Sequence, residues 1–153
     1  MQSGKPMVAN KKFALMLKHL LSENIPQADT DFVKALPADA LFIDTRGENE
    51  YNVSSISGAI NAGFENFDIN LLKSLNKNKL IIVFCSVGLR SEKICRILFK
   101  EGYTNVYNLY GGIFEWVNRG LPVVDSLGHP VKVVHGFSPL WAIWVNGVKK
   151  VYY

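Results

Sequence analysis

The chain has only two cysteines, Cys85 and Cys95, in 153 residues. Two thiols cannot build a disulfide framework, and neither stands at a Cys/His spacing suited to zinc, so a reduced, cytoplasmic protein with no metal site is expected. No stretch approaches the roughly 20 consecutive apolar residues that span a bilayer. The longest N-terminal apolar piece, Phe13 to Leu17, runs straight into Lys18 and His19 without a small-residue cleavage site, so neither a membrane span nor a secretory leader is expected. Internal repeats and low-complexity segments are also missing. Charge of one sign is not concentrated: 17 Lys and Arg against 13 Asp and Glu leave a net +4. The lysines are scattered without interleaved aromatics, which argues against nucleic acid as a partner, while the mild positive bias would still draw in a small anion.

What is present is enough for one closed core, since 48% of the residues are apolar and the length suits a single domain. Asn10 to Ser22 reads as a helix with Phe13, Leu17, Leu20 and Leu21 on one face, broken by Asn24-Ile25-Pro26. Asp29 or Thr30 would cap a short helix through Leu36. Ala40 to Ile43 is an apolar run ending at Asp44, as a buried strand reads, and Ala59-Ile60 is a weaker strand signal. Asp68 to Leu75 reads as a helix with Leu71, Leu72 and Leu75 inward. Lys79 to Phe84 is the clearest strand. A helix from about Ser91 to Glu101 follows, expected to bury Ile94, Ile97 and Leu98, to show Glu92, Lys93 and Arg96 to water, and to stop at Gly102. Asn105 to Leu109 gives another strand, and Gly111-Gly112 opens a helix through Asn118. This alternation predicts an α/β fold with a mainly parallel sheet.

The segment Cys85-Ser86-Val87-Gly88-Leu89-Arg90-Ser91 lies between the strongest strand and a helix, at the sheet edge where open α/β folds bind ligands. A short loop there aims backbone N–H groups and the positive helix end inward. Such donors favour the ionised, nucleophilic form of a cysteine at their centre. Gly88 permits the tight turn, and Arg90 adds a forked cation for an oxyanion. The histidines, His19, His129 and His135, are all distant in sequence, so activation by loop dipoles and Arg90 is the economical expectation. The competing reading of Cys85 is a small core hydrophobe.

These residues resemble the active-site loop of rhodanese-like sulfurtransferases, Cys-x-x-Gly-x-Arg-Ser. Asp44-Thr45-Arg46 with Glu50-Tyr51, Ile56-Ser57-Gly58-Ala59-Ile60-Asn61, Asn105 to Leu109 through Gly111-Gly112-Ile113 and Trp116, and Gly120-Leu121-Pro122-Val123 are similar to further family segments in the same order. The resemblance implies a three-layer fold with helices on both faces of the sheet. It would divide the chain into an N-terminal helical extension (1–26), a rhodanese-like domain (27–124) and a C-terminal extension (125–153) packed on the same domain. It implies a ping-pong transfer without cofactor. Cys85 takes the sulfane sulfur of a small anionic donor such as thiosulfate, becomes a persulfide, and passes the sulfur to cyanide or a thiol, a protein acceptor included. Cys85 and Arg90 are then catalytic, Ser86, Val87, Gly88, Leu89 and Ser91 line the substrate, and Asp44 and Arg46 support. The family's usual histidine before Ile56 is Ser55 here, a change that bears on local packing more than on catalysis. Two other readings stand beside this one: a partner-docking module without turnover, and a cysteine phosphatase or arsenate reductase. The phosphatases resemble Cys-x5-Arg, whereas Arg90 follows Cys85 after four residues, a ring better sized for a persulfide.

Outside the loop, Cys95 reads as core packing, with a resolving thiol as its alternative. Asp44, Arg46 and Glu50 read as structural ion-pairing groups, and Trp116 as a packing anchor. Asn146-Gly147 between Trp144-Val145 and Val148 to Tyr153 suggests a tight hairpin. The aromatic tail reads as a strap over the domain, or else a dimer contact or a lip over the active site.

Overall fold

The computed structural model describes residues 4–153; residues 1–3, the start of the expected N-terminal extension, lie outside the described residues. Asn10 caps α1 (Lys11–Leu20) by accepting a hydrogen bond from the Phe13 amide, and the helix buries Phe13 and Leu17. It ends before Ser22 because Leu21 is already extended. A two-residue strand, β1 (Gln27–Ala28), precedes α2 (Thr30–Lys34), which Asp29 caps through the Phe32 amide. Then come β2 (Leu41–Asp44), α3 (Glu48–Val53) and β3 (Ile60–Asn61). A single 3-10 turn at Ile69–Leu72 replaces the helix expected over 68–75, and it buries Leu72 while Leu71 is 55% exposed.

The central elements are β4 (Ile81–Phe84), α4 (Leu89–Lys100), β5 (Val106–Leu109) and α5 (Gly112–Asn118). The sheet runs β1-β5-β4-β2-β3, with every pairing parallel. Because side chains alternate along a strand, β4 feeds two cores. Ile81 and Val83 pack with Ile94, Cys95 and Leu98 of α4 and with Leu72. Ile82 and Phe84 pack with Phe13 and Leu17 of α1, Val33 of α2 and Ile113 and Phe114 of α5. The result is an α/β architecture of three layers, with helices on both faces of a parallel sheet. One assignment on α4 is reversed: Glu92 is buried and Ile97 exposed. For Glu92 the cause is the N-terminal segment, which covers that side of the helix. The Glu92 carboxylate accepts the Ser22 amide at 2.8 Å and the Gln27 side-chain amide at 2.8 Å.

The C-terminal part departs most from expectation. Past β6 (Val123–Val124) and β7 (Pro130–Val131), an antiparallel pair, β8 (Val133–His135) pairs in parallel with β9 (Lys149–Val151). The expected hairpin at Asn146-Gly147 does not form, because the residues before it coil into α6 (Pro139–Ala142) and a following turn and leave no strand to pair with. The strap is fixed to the domain by Ser54, whose hydroxyl donates to the Val133 carbonyl at 2.6 Å, and by stacking of Trp144 on Phe13. Among the described residues, no helix is long and apolar enough to cross a membrane.

Candidate active site

Cys85 follows directly on β4, the middle strand of the sheet, and its loop turns into α4 at Gly88, which takes φ +119°, a left-handed conformation that suits glycine. That turn aims the Gly88 N–H at the Cys85 Sγ, 3.1 Å away. Ser91, in the first turn of α4, places its hydroxyl 3.5 Å from the same sulfur and 2.5 Å from the Asn108 Oδ1. Asn108, on β5, also donates from Nδ2 to the Gly88 carbonyl at 3.0 Å. The expected ring of amides is therefore narrower than anticipated: among the described residues one amide donates to the sulfur, with the N-terminus of α4 behind it, while the single Ser91 hydroxyl proton is taken by Asn108 Oδ1. The amide and the helix end stabilise negative charge that develops there.

The loop's own carbonyls are held from α5. The Ile113 amide donates to the Cys85 carbonyl at 3.0 Å, and the Phe114 amide to that of Ser86 at 3.1 Å. Gly112 makes this approach possible: it has φ +61°, and a Cβ there would sit 2.5 Å from the Cys85 carbonyl oxygen and closer still to that of Ser86. The sequence marks Gly111-Gly112 as the opening of a helix and does not show this contact with the loop. Gly112→Ala is expected to destabilise the fold by about 2–3 kcal/mol through left-handed strain and overpacking. Denaturant titration of the variant beside the parent chain checks the effect.

Arg90 is engaged on several sides. Its Nη1 donates to Glu50 Oε2 at 3.0 Å, and its Nη2 donates to Glu50 Oε1 at 2.9 Å and to the Ser86 Oγ at 3.0 Å. Burial pushes the Glu50 carboxyl up, but hydrogen bonding and charge attraction from Arg90, with the Gly47 amide and Arg46, outweigh it and hold the carboxyl below its ordinary range. On Arg90 burial opposes the charge, and Glu50 and Cys85 more than restore it. Glu50 therefore positions the loop arginine, where the sequence reading took it as structural in the manner of Asp44. The signal was invisible because the partners are 40 residues apart on α3 and α4.

Asp44 and Arg46 pair with each other and do not touch the Cys85 loop. Both are fully buried, with Arg46 Nη2 donating to Asp44 Oδ2 at 2.7 Å and to the Ser54 carbonyl at 2.7 Å. Ser55, in place of the family's histidine, donates its hydroxyl to Asp44 Oδ2 at 2.7 Å and so keeps that carboxylate satisfied. Cys95 lies in the core under α4, and burial drives its thiol far above the usual range, which leaves it inert. Both cysteines are free.

The Cys85 sulfur sits at the floor of a pocket of about 100 Å3 walled by Ser86, Val87, Leu89 and Arg90, and by Phe137 and Trp141 from the C-terminal strap. The strap thus forms a lip over the loop. A larger hollow of about 730 Å3, lined in part by Leu17, Leu21, Tyr107 and Tyr110, lies on another side and does not include Cys85. His135, buried at the base of the lip, accepts the Phe137 amide on Nδ1 at 2.9 Å. Burial pushes His135 down, Arg46 and Arg90 push the same way, and Glu50 opposes them. The unfolded chain gains a proton on this residue near pH 6.5 while the folded chain resists it. Its contribution is therefore intact above about pH 6.5 and is lost as the pH falls below that. Thermal unfolding between pH 7 and 5 should show a smaller loss of stability for His135→Asn than for the parent chain.

Comparison with known proteins places the fold and this loop. Residues 29–119 match the model of the Rhodanese-like domain, and the chain belongs to that family. A protein named Sulfurtransferase from Allochromatium vinosum is 32% identical over 115 residues, covering 74% of this chain and 100% of that protein. The tRNA uridine(34) hydroxylase of Aster yellows witches'-broom phytoplasma is 38% identical over 95 residues, which cover 58% of this chain. The chain spans only 31% of that protein's length. Among solved structures, the rhodanese-like domain of an Anabaena protein superposes with a TM-score of 0.59 at 26% identity, covering 65% of this chain and 79% of that one. Thiosulfate sulfurtransferase from Pseudomonas aeruginosa shares the fold, with a TM-score of 0.63 at 22% identity over 76% of this chain and 23% of that one.

Proposed function

We propose that the chain moves a sulfane sulfur from thiosulfate or a similar donor to a thiol, or to cyanide in the assay, through a persulfide on Cys85. The observation that carries this reading is the Gly88 N–H at 3.1 Å from the Cys85 sulfur, on a loop whose arginine is held by Glu50. The Cys85 thiolate attacks the outer sulfur of the donor, the donor's remainder departs with the bonding electron pair, and an acceptor nucleophile then removes the terminal sulfur. The Gly88 amide and the end of α4 face the charge that passes between thiolate and persulfide. Family membership and the full-length coverage of the Allochromatium protein support sulfur transfer over partner docking without turnover. The spacing of four residues between Cys85 and Arg90 weighs against phosphoryl transfer. Intact-mass spectrometry after thiosulfate treatment should show a gain of one sulfur atom that maps to the Cys85 peptide and is lost with cyanide. A gain on Cys95, or brisk hydrolysis of an aryl phosphate, would sink the assignment.

The names of several relatives favour a second reading, a role in hydroxylating uridine 34 of tRNA. It is weaker, because the chain corresponds to under a third of those proteins. Incubation with tRNA lacking the modification, in the presence of dioxygen and a thiol reductant, followed by nucleoside mass analysis, tests it: a gain of one oxygen at that uridine supports it.

A further inference from the structure

Two residues of the Cys85 pocket, Phe137 and Trp141, come from outside the stretch that matches the family model. Phe137 is the one non-glycine among the described residues with positive φ, at 66°. Such a conformation costs an L-residue about 1–2 kcal/mol and persists only where the surroundings impose it. Here they do. The Phe137 amide is tied to His135, the Gly136 amide donates to the Val151 carbonyl at 2.9 Å, and the Ser138 amide donates to the Gly136 carbonyl at 2.8 Å. A side chain at 136 would strike Tyr152 and Ala142, so the chain has little room to relax there. The strap thus holds the Phe137 ring 47% exposed, with its centre 4.9 Å from the Arg90 guanidinium carbon, instead of burying it.

The electrostatic consequence concerns the substrate. Arg90 is the only cation on the pocket wall, and its charge is matched by Glu50 and roofed by an aromatic face. The rest of the wall is Val87, Leu89, Phe137 and Trp141, with Ser86 turned to Arg90 and Glu50. A dianion brought here would give up its hydration without an uncompensated cation to replace it. An uncharged carbon stem would gain apolar contact instead.

We propose, building on the persulfide reading above, that the pocket draws its sulfur from a thiol-borne persulfide, R–S–SH with a short uncharged R, in preference to thiosulfate, and that Phe137 and Trp141 set this choice by gripping the stem. The step balances without an added oxidant. The Cys85 thiolate attacks the outer sulfur, the new Sγ–S bond forms as the R–S–S bond breaks, and R–S⁻ departs and takes a proton from water, leaving Cys85–S–SH.

The test uses the full chain, with 2-hydroxyethyl persulfide (generated from sulfide and the matching disulfide) and thiosulfate as donors. The rate of sulfur gain on Cys85 is read by intact mass and divided by each donor's rate with free cysteine, which removes intrinsic reactivity. The expected ratio favours the alkyl persulfide by about tenfold or more, equivalent to about 1.4 kcal/mol of selective stabilisation. Phe137→Lys, at an exposed position, removes the aromatic wall and adds a cation, and should shrink that ratio by about fivefold or more. Phe137→Ala should shrink it less. A corrected ratio near or below one in the parent chain, or a ratio unmoved by Phe137→Lys, overturns the proposal. Sulfur gain from neither donor instead fells the persulfide reading on which it rests.

Discussion

On the proposed persulfide route, Cys85→Ser is expected to abolish sulfur loading and turnover while leaving the fold in place. The oxygen replaces the sulfur almost isosterically at a position 1% exposed, so the packing against the loop and α4 survives. Serine lacks the easily ionised, polarisable nucleophile the step requires, and the Gly88 amide beside it is a donor placed for a negative sulfur, not a base that could activate a hydroxyl. Turnover should fall by at least about 1000-fold, and the mass gain after donor treatment should vanish. Residual transfer above a few per cent of the parent rate would mean that another group carries the sulfur. Cys95 is a poor substitute because its thiol is sealed in the core.

The second large effect concerns stability. Asp44→Ala strips the fully buried Arg46 of its carboxylate partner and leaves Nη2 with the Ser54 carbonyl alone, while Nη1 already lacks a partner among the described residues. Breaking one side of a buried pair costs about 3–5 kcal/mol because a charge remains stranded. For a chain of this length that corresponds to a fall of roughly 10 °C in Tm. The double variant Asp44→Ala/Arg46→Met removes both charges and should recover a substantial part of the loss. Equal destabilisation in the single and double variants would show that the pair matters through its shape rather than its charge. Loss below about 1 kcal/mol in the single variant would contradict the buried-pair account.

What could be read from the chain and what could not divides by sequence distance. Lys79 to Phe84 was legible as a central strand because a short unbroken apolar run reports burial on both faces. The Cys85 loop was legible because its residues are contiguous. The cap at Asp29 followed from local chemistry. Glu50 and Asn108 reach the loop from two other parts of the chain, and no local pattern announces that, whereas the aromatic content of the tail had offered a lip over the active site as one alternative, and Phe137 and Trp141 line that pocket. Glu92 was misplaced for a related reason: periodicity describes a helix facing water on its polar side, whereas here Ser22 and Gln27 lie against Glu92; nothing in the structure explains the exposure of Ile97. The hairpin at Asn146-Gly147 was read from a turn signal alone. Gly147 does take positive φ, 78°, but the strand after it finds its partner at Val133 to His135.

That parallel pairing has a consequence for how the protein is made. A ribosome delivers Cys85, its glycine turn and the arginine well before it delivers Lys149 to Val151, the strand that braces Phe137 through β8. Until those residues emerge, the bond from the Gly136 amide to the Val151 carbonyl, which helps hold Phe137 beside Arg90, cannot form. The order around Phe137 is thereby tied to the arrival of β9, more than sixty residues after Cys85.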